Sequence, residues 1–293
     1  MTTLMSDLVA DTRRMVYGSM ADQLNFLASE AAEGATSLEF VMDITPITPG
    51  MVLSSGLNVY YVISTAPATK TVTVYPAYDN SLTGALPAGS PVMIRPRVTD
   101  WLLFNNLNDI IRQMSSPTMG LYQERYWEAT TDSVWQTYDI PEEAANMVDL
   151  IRVSVRVPTS TDLWADLPPN SVRWQFGNGV VRITSYGMIS TDLRFYYKAP
   201  FTEATALTDD VEADLGLGAT MTDIPPLGAA ARLLITTESR RAQTHNQSDP
   251  RRANEVDAGQ NSGAARDLDR AYRQRIADEF IRLVNRNPYV KQM

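Results

Sequence analysis

Apolar residues recur along this chain with two alternating periods, and the switches between them outline its organisation. Over residues 4–30, Leu4, Leu8, Met15, Met20, Leu24 and Leu27 fall near helical spacing, with Asp7, Asp11, Arg13, Arg14 and Asp22 between them. That pattern predicts an amphipathic helix, with Gly34 as its stop. Residues 37–98 switch to short β-type runs at Ser37–Met42, Asn58–Ile63, Lys70–Tyr75 and Pro91–Arg95. Turn formers separate them, at Thr48-Pro49-Gly50, Ser55-Gly56, Asp79-Asn80-Ser81 and Pro87-Ala88-Gly89. Such spacing predicts a small, strongly bent sheet or barrel.

Helical spacing returns over 100–115, with Asp100 as the expected N-cap and Leu103, Leu107, Ile110, Ile111 and Met114 as one stripe. From about 122 to 201 the period is two again. Ile151, Val153, Val155 and Val157 alternate with Arg152, Ser154 and Arg156, which predicts a strand that covers a core on one side. Val172–Phe176 and Val180–Thr184 flank Gly177-Asn178-Gly179, a hairpin signal. Leu193, Phe195 and Tyr197 alternate in a further strand, and a small sandwich buries such faces.

Residues 202–224 read as an acidic loop, and a helix follows Pro225-Pro226 over about 227–245. Residues 246–262 read as a polar linker. A last helix over about 264–285 places Leu268, Tyr272, Ile276, Phe280 and Leu283 on one face and arginines on the other. The predicted class is therefore α+β, a discontinuous helical bundle with two inserted antiparallel β modules. Residues 1–36, 99–121 and 225–293 form the helical part, 37–98 a barrel-like module and 122–224 a sandwich-like module.

Charge sharpens this division. Residues 1–238 carry 14 basic and 27 acidic side chains, whereas 239–293 carry 11 and 7. Such asymmetry suggests that the C-terminal part has a different neighbour from the rest. Arginine outnumbers lysine 22 to 3, which suits bidentate pairing at interfaces as well as a solvated helix face. No apolar run approaches the roughly 18 residues of a membrane span, and Met1–Arg14 contains no signal-peptide pattern. A soluble protein is expected.

Recognisable chemistry is sparse. The chain has no cysteine and one histidine, His245, so thiolate sites, cysteine nucleophiles and a two-histidine metal site within one chain are excluded. No nucleophile elbow or phosphate loop occurs. Asp209, Asp210, Glu212 and Asp214 resemble the front of a calcium loop, but Met221 stands where the closing carboxylate belongs. The expectation is no enzyme, no cofactor and no metal. A glycosidase needs only two carboxylates, which leaves a hydrolase as an alternative. A carbohydrate-binding module using tryptophans of residues 127–174 as a stacking platform is another.

Two stretches carry a resemblance. The first runs from Pro49-Gly50-Met51-Val52-Leu53 through Val59-Tyr60-Tyr61-Val62, Thr71-Val72-Thr73-Val74 and Gly84, to Pro87-Ala88-Gly89. It continues into the Trp101–Met114 helix with Asn105, Asn106 and Asn108. The second is Pro225-Pro226-Leu227-Gly228-Ala229-Ala230, then Ala264-Ala265-Arg266-Asp267-Leu268 and the Tyr272 helix. Both resemble head-to-tail adaptor (connector, neck) proteins of tailed bacteriophages. The resemblance implies a structural virion protein forming a ring, usually of twelve subunits, beneath the portal protein. It also implies a downstream neck or tail protein as partner, and packaged DNA passing through the lumen without sequence-specific binding. Arg270, Arg273, Phe280, Pro288 and Tyr289 are the residues expected to face the portal. A tail-hub or baseplate component is the structural alternative.

Overall fold

A computed structural model describes residues 2–18, 22–77, 84–130, 135–157, 163–168, 172–175, 180–184, 192–245 and 260–286. Within them the chain is α+β, with four α-helices and antiparallel sheets. Two compact units are formed. The first comprises Met1–Ile111 and Glu203–Arg273, and the second Arg112–Thr202 and Gln274–Met293.

In the first unit, α1 (Met5–Tyr17) buries Met5, Leu8, Val9 and Thr12. It is shorter than the expected helix over 4–30. Gly18, at φ +64°, ends it, a backbone conformation that costs side-chain-bearing residues free energy. The chain then becomes β1 (Gln23–Phe26), so Leu24 and Leu27 belong to a β period. Gly34 stops no helix and lies in the turn before the next strand.

The barrel-like module consists of β1, β2 (Ser37–Glu39), β3 (Val52–Ser55), β4 (Asn58–Ala66), β5 (Thr71–Pro76) and β6 (Pro91–Ile94). Their spatial order is β1-β6-β3-β4-β5-β2. The sheet curls until its outer strands meet. Val41 N–H donates to the Phe26 carbonyl at 2.9 Å, Ala28 N–H donates to Glu39 at 2.8 Å, and Leu27 bridges Phe40. Inside lie Leu27, Leu38, Phe40, Leu53, Val72 and Val92, each essentially without exposure. Burial of each such side chain contributes about 1.5–3 kcal/mol. The expected turn at Asp79-Asn80-Ser81 lies outside the described residues.

Three further helices complete the α part: α2 (Asp100–Met114), α3 (Ile224–His245) and α4 (Gln260–Arg286). Asp100 is not the cap of α2. Thr99 Oγ1 accepts the Leu102 N–H at 3.3 Å, while the Asp100 carboxylate pairs with Arg13 of α1. Within the first unit α1 packs on α3, and α2, α3 and α4 converge at Gly228. A Cβ there would lie 3.0 Å from both Ile110 and Tyr272, so the glycine permits the helices to approach closely.

The second unit holds a sandwich. One layer has the order β10-β9-β13-β7, made of β7 (Gln123–Thr130), β9 (Asp149–Arg156), β10 (Trp164–Asp166) and β13 (Asp192–Ala199). The other has the order β11-β12-β8, made of β8 (Trp135–Asp139), β11 (Val172–Gln175) and β12 (Val180–Thr184). Trp127, Val153 and Phe195 meet Tyr138 and Val181 in one core. Trp127 stacks on Phe195 at 4.6 Å between ring centroids. β11 and β12 pair antiparallel as the hairpin signal predicts, and the intervening Gly177-Asn178-Gly179 lies outside the described residues.

Candidate functional site

The residues expected to face the portal divide between the two units. Arg270 and Arg273 are exposed on the first-unit part of α4, where Arg273 Nε donates to Asp269 at 2.9 Å, one turn earlier. Phe280 lies on the second-unit part and remains 44% exposed. Pro288 and Tyr289 lie outside the described residues.

The buried stripe of α4 differs from the expected one. It runs through Ala265, Tyr272, Ile276, Glu279 and Leu283, and Phe280 stands one position off it. Glu279 takes the inward place because Arg282 Nε donates to its carboxylate at 2.6 Å and Arg275 lies 3.6 Å away. Charge pairing thus makes a buried carboxylate tolerable on a core-facing position.

Turned off the stripe, Phe280 borders an apolar groove of about 460 Å³ in the second unit. Leu121, Val148, Ala199, Pro200 and Val284 line it, and Val148 is 50% exposed. Gly120, at φ +72°, floors one end. A Cβ there would lie 3.0 Å from the Phe280 ring, so the ring rests against bare backbone. Lys198 sits at the rim and donates to Asp149 at 2.8 Å.

A second surface is the outer face of the four-stranded layer. Register places Arg194 opposite Glu128, Tyr196 opposite Tyr126, and Arg152 opposite Tyr196. Arg194 stacks over Trp164 at 4.1 Å and Tyr126 at 4.3 Å, and Arg152 stacks over Tyr196 at 4.2 Å. Ion pairs join Arg156 to Asp192 and Arg194 to Glu128, both at 2.6 Å. Each of these guanidinium groups is engaged by a carboxylate or a ring of the same face. The guanidinium groups occupy ring faces that a sugar would use, and Trp127 is 4% exposed in the core. Arg–aromatic stacking of this kind holds a face rigid.

A third surface lies on the barrel, at the seam where β1 and β2 meet. Leu24, Phe26, Val41 and Met42 are between 40% and 51% exposed there. The sequence signal for it was present in the β-type alternation of residues 24–27, but it is masked by helical spacing over the same residues.

The acidic run is committed to its own backbone. Asp209 accepts N–H groups of Thr205 at 2.6 Å and Ala206 at 2.9 Å. Burial pushes its carboxyl upward, but those hydrogen bonds outweigh it and hold the group below the usual aspartate range. Asp210 accepts from Glu212 and Ala213, and Asp214 accepts from the Asp210 N–H. Among the described residues no group of three or more His, Asp or Glu side chains is placed to hold a metal. His245 ends α3, and its side chain lies outside the description.

On the helices, Asp100 is perturbed by its surroundings. Burial raises its carboxyl above the ordinary value, opposed by the Arg13 guanidinium beside it. No helix among the described residues is long and apolar enough to cross a membrane. No known family model matches the sequence, and no curated protein matches it.

Proposed function

We propose that this chain is a head-to-tail adaptor of a tailed bacteriophage, one subunit of a ring that joins the portal to the neck or tail. The observation that carries this reading is the interrupted helical frame. A barrel lies between α1 and α2, and a sandwich lies between α2 and α3. That is the order of elements implied by the resemblance of residues 49–114 and 225–272 to adaptor proteins.

Physical chemistry supports the same reading. Helices with one apolar stripe need partners, and repetition of a heterologous contact makes a ring when the rotation between copies closes. Arg270, Arg273 and Phe280, exposed on α4, are the portal-facing residues, together with the tail that includes Pro288 and Tyr289. An acidic chain of net charge −9 repels the phosphate backbone, which suits a lumen through which packaged DNA passes without sticking. The ring belongs to the virion neck and is assembled in the host cytoplasm.

The test is the mass of the purified protein, alone and mixed with portal rings. A closed ring, or a monomer that joins portal at matching stoichiometry, is expected, with twelve copies for a neck ring. Six or three copies would assign it to a tail hub instead. A protein indifferent to portal rings refutes the adaptor reading.

A further inference from the structure

We infer that this chain carries both halves of a heterologous contact, in which the apolar seam of the barrel on one copy docks into the α4 groove of the next. It specifies the subunit contact of the proposed ring and rests on that reading only for the number of copies.

Both surfaces are apolar at the centre. On the seam, Phe26 and Val41 are joined through their backbones, and Leu24 and Met42 flank them. In the groove, Phe280, Val148 and Val284 line an open cleft above Leu121 and Ala199. Leu24, Phe26, Val41, Met42, Val148 and Phe280 are each at least 40% exposed in the single chain, so neither surface is covered by the described residues of its own copy. Open apolar patches of this kind mark contact sites.

Charge distribution selects the partner. Between Arg14 and Lys70 the sequence contains no lysine or arginine and five carboxylates: Asp22, Glu30, Glu33, Glu39 and Asp43. Lys70 is the cation at the seam, and its ammonium is engaged with the Val41 carbonyl at 2.7 Å. From Phe280 onward the chain contains Arg282, Arg286 and Lys291 and no carboxylate side chain. Arg282 and Arg286 share the helix end with Phe280 and Val284, and Lys198 lies at the groove rim. Each makes one ion pair within its own copy, to Glu279, Glu124 and Asp149. Guanidinium and ammonium groups retain further N–H donors after one such bond. The acidic stretch of chain that builds the seam and the basic helix end beside the groove attract each other between copies and repel their own kind.

Because the surfaces differ, the contact is head-to-tail. It therefore propagates from copy to copy instead of stopping at a dimer, and makes a ring where the rotation between copies closes. The assignment moves Phe280 from the portal face to the contact between copies.

The test uses the full chain and light scattering. Wild type is expected to form multimers. Val41→Asp, which spoils the seam, and Val148→Asp, which spoils the groove, are each expected to be monomeric. An equimolar mixture of the two is expected to yield dimers, because one intact seam and one intact groove remain. Raising the salt until the Debye length falls from about 10 Å to about 3 Å should weaken association several-fold. Phe280→Asp serves as a second groove variant, and far-UV circular dichroism checks that each variant folds. A wild type that stays monomeric up to its solubility limit overturns the proposal, as does a mixture no heavier than its components. A monomer that still binds portal rings would leave the adaptor reading standing. Multimers that ignore portal rings would leave the contact standing and remove the adaptor.

Discussion

Replacement of Gly228 by alanine sets two known effects against each other at a point where three helices meet. Alanine is favoured over glycine inside a helix by about 1 kcal/mol. At position 228, however, the new Cβ would lie 3.0 Å from Ile110 Cδ1, 3.0 Å from Tyr272 Cε2 and 3.1 Å from Ile110 Cγ2. Carbon atoms ordinarily approach to about 3.5–4.0 Å. Ile110 is 1% exposed and Tyr272 5%, so neither side chain can swing into solvent. Forcing an extra carbon into such packing costs about 1–3 kcal/mol. Gly263 of α4 supplies the control, because nothing lies within 4 Å of its Cβ position. Both glycines belong to the first unit. Gly263→Ala should stabilise by up to about 1 kcal/mol, and the two variants should differ by about 1–3 kcal/mol. Urea titrations followed by circular dichroism measure this as a shift in midpoint at constant slope. If Gly228→Ala proves as stable as Gly263→Ala, the close approach of α2, α3 and α4 is refuted.

Further consequences are open to direct measurement. Asn108 is buried and both donates to the Ala204 carbonyl and accepts its N–H, each at 2.9 Å. Asn108→Ala leaves two backbone groups unsatisfied and should cost about 2–4 kcal/mol in urea unfolding; Asn108→Leu should be no better, and a neutral result for either would discount the bridge. Phe195→Ala removes the ring stacked on Trp127 and should destabilise the sandwich by about 3–5 kcal/mol, with loss of the near-UV tryptophan signal as the readout. Asp100 and Asp209 should give opposite pH dependences. The carboxyl of Asp100 is raised on folding, so its contribution is greatest below the ordinary aspartate value and is lost as pH rises through the folded one. That of Asp209 is lowered, so its contribution is present above the ordinary value and is lost as pH falls through the folded one. Stability against pH for Asp100→Asn and Asp209→Asn, each compared with wild type, reads the two slopes, and slopes of the same sign would contradict these environments.

Local periodicity made parts of the fold legible, and long-range pairing decided the remainder. The stripe from Leu103 to Met114 is a helix because every member of it faces a core. Residues 192–199 alternate buried and half-buried side chains as a one-sided strand must. By contrast, Leu24 and Leu27 fit both periods, and the decisive residue is Gly18, nine positions before Leu27, the last of the apparent helical run. On α4, successive steps of four residues drift by about 40° each in a helix of 3.6 residues per turn. The series Tyr272, Ile276, Phe280 therefore rotates out of the core, and Glu279 takes the inward place through its two arginine partners. Asp100 pairs with Arg13, 87 positions away, and nothing near Asp100 in sequence announces that partner. The same applies to the candidate surfaces. The aromatic and arginine lattice depends on a register between β9, β13 and β7 that no local pattern encodes. The groove needs Gly120, Val148 and Phe280 to meet from three separate stretches.

Closure of the six-stranded sheet also bears on how copies can be crowded together. A sheet with a bare edge offers a row of unused amide and carbonyl groups, on which another molecule can add its own strand. Here the two outer strands spend those groups on each other, through Phe26 with Val41 and Ala28 with Glu39. Neighbouring barrels therefore lack a backbone template there for fusing into a continuous ribbon. Their association is left to side chains, which can be matched, exchanged and reversed, and the route toward fibres is blocked on this module before any partner arrives.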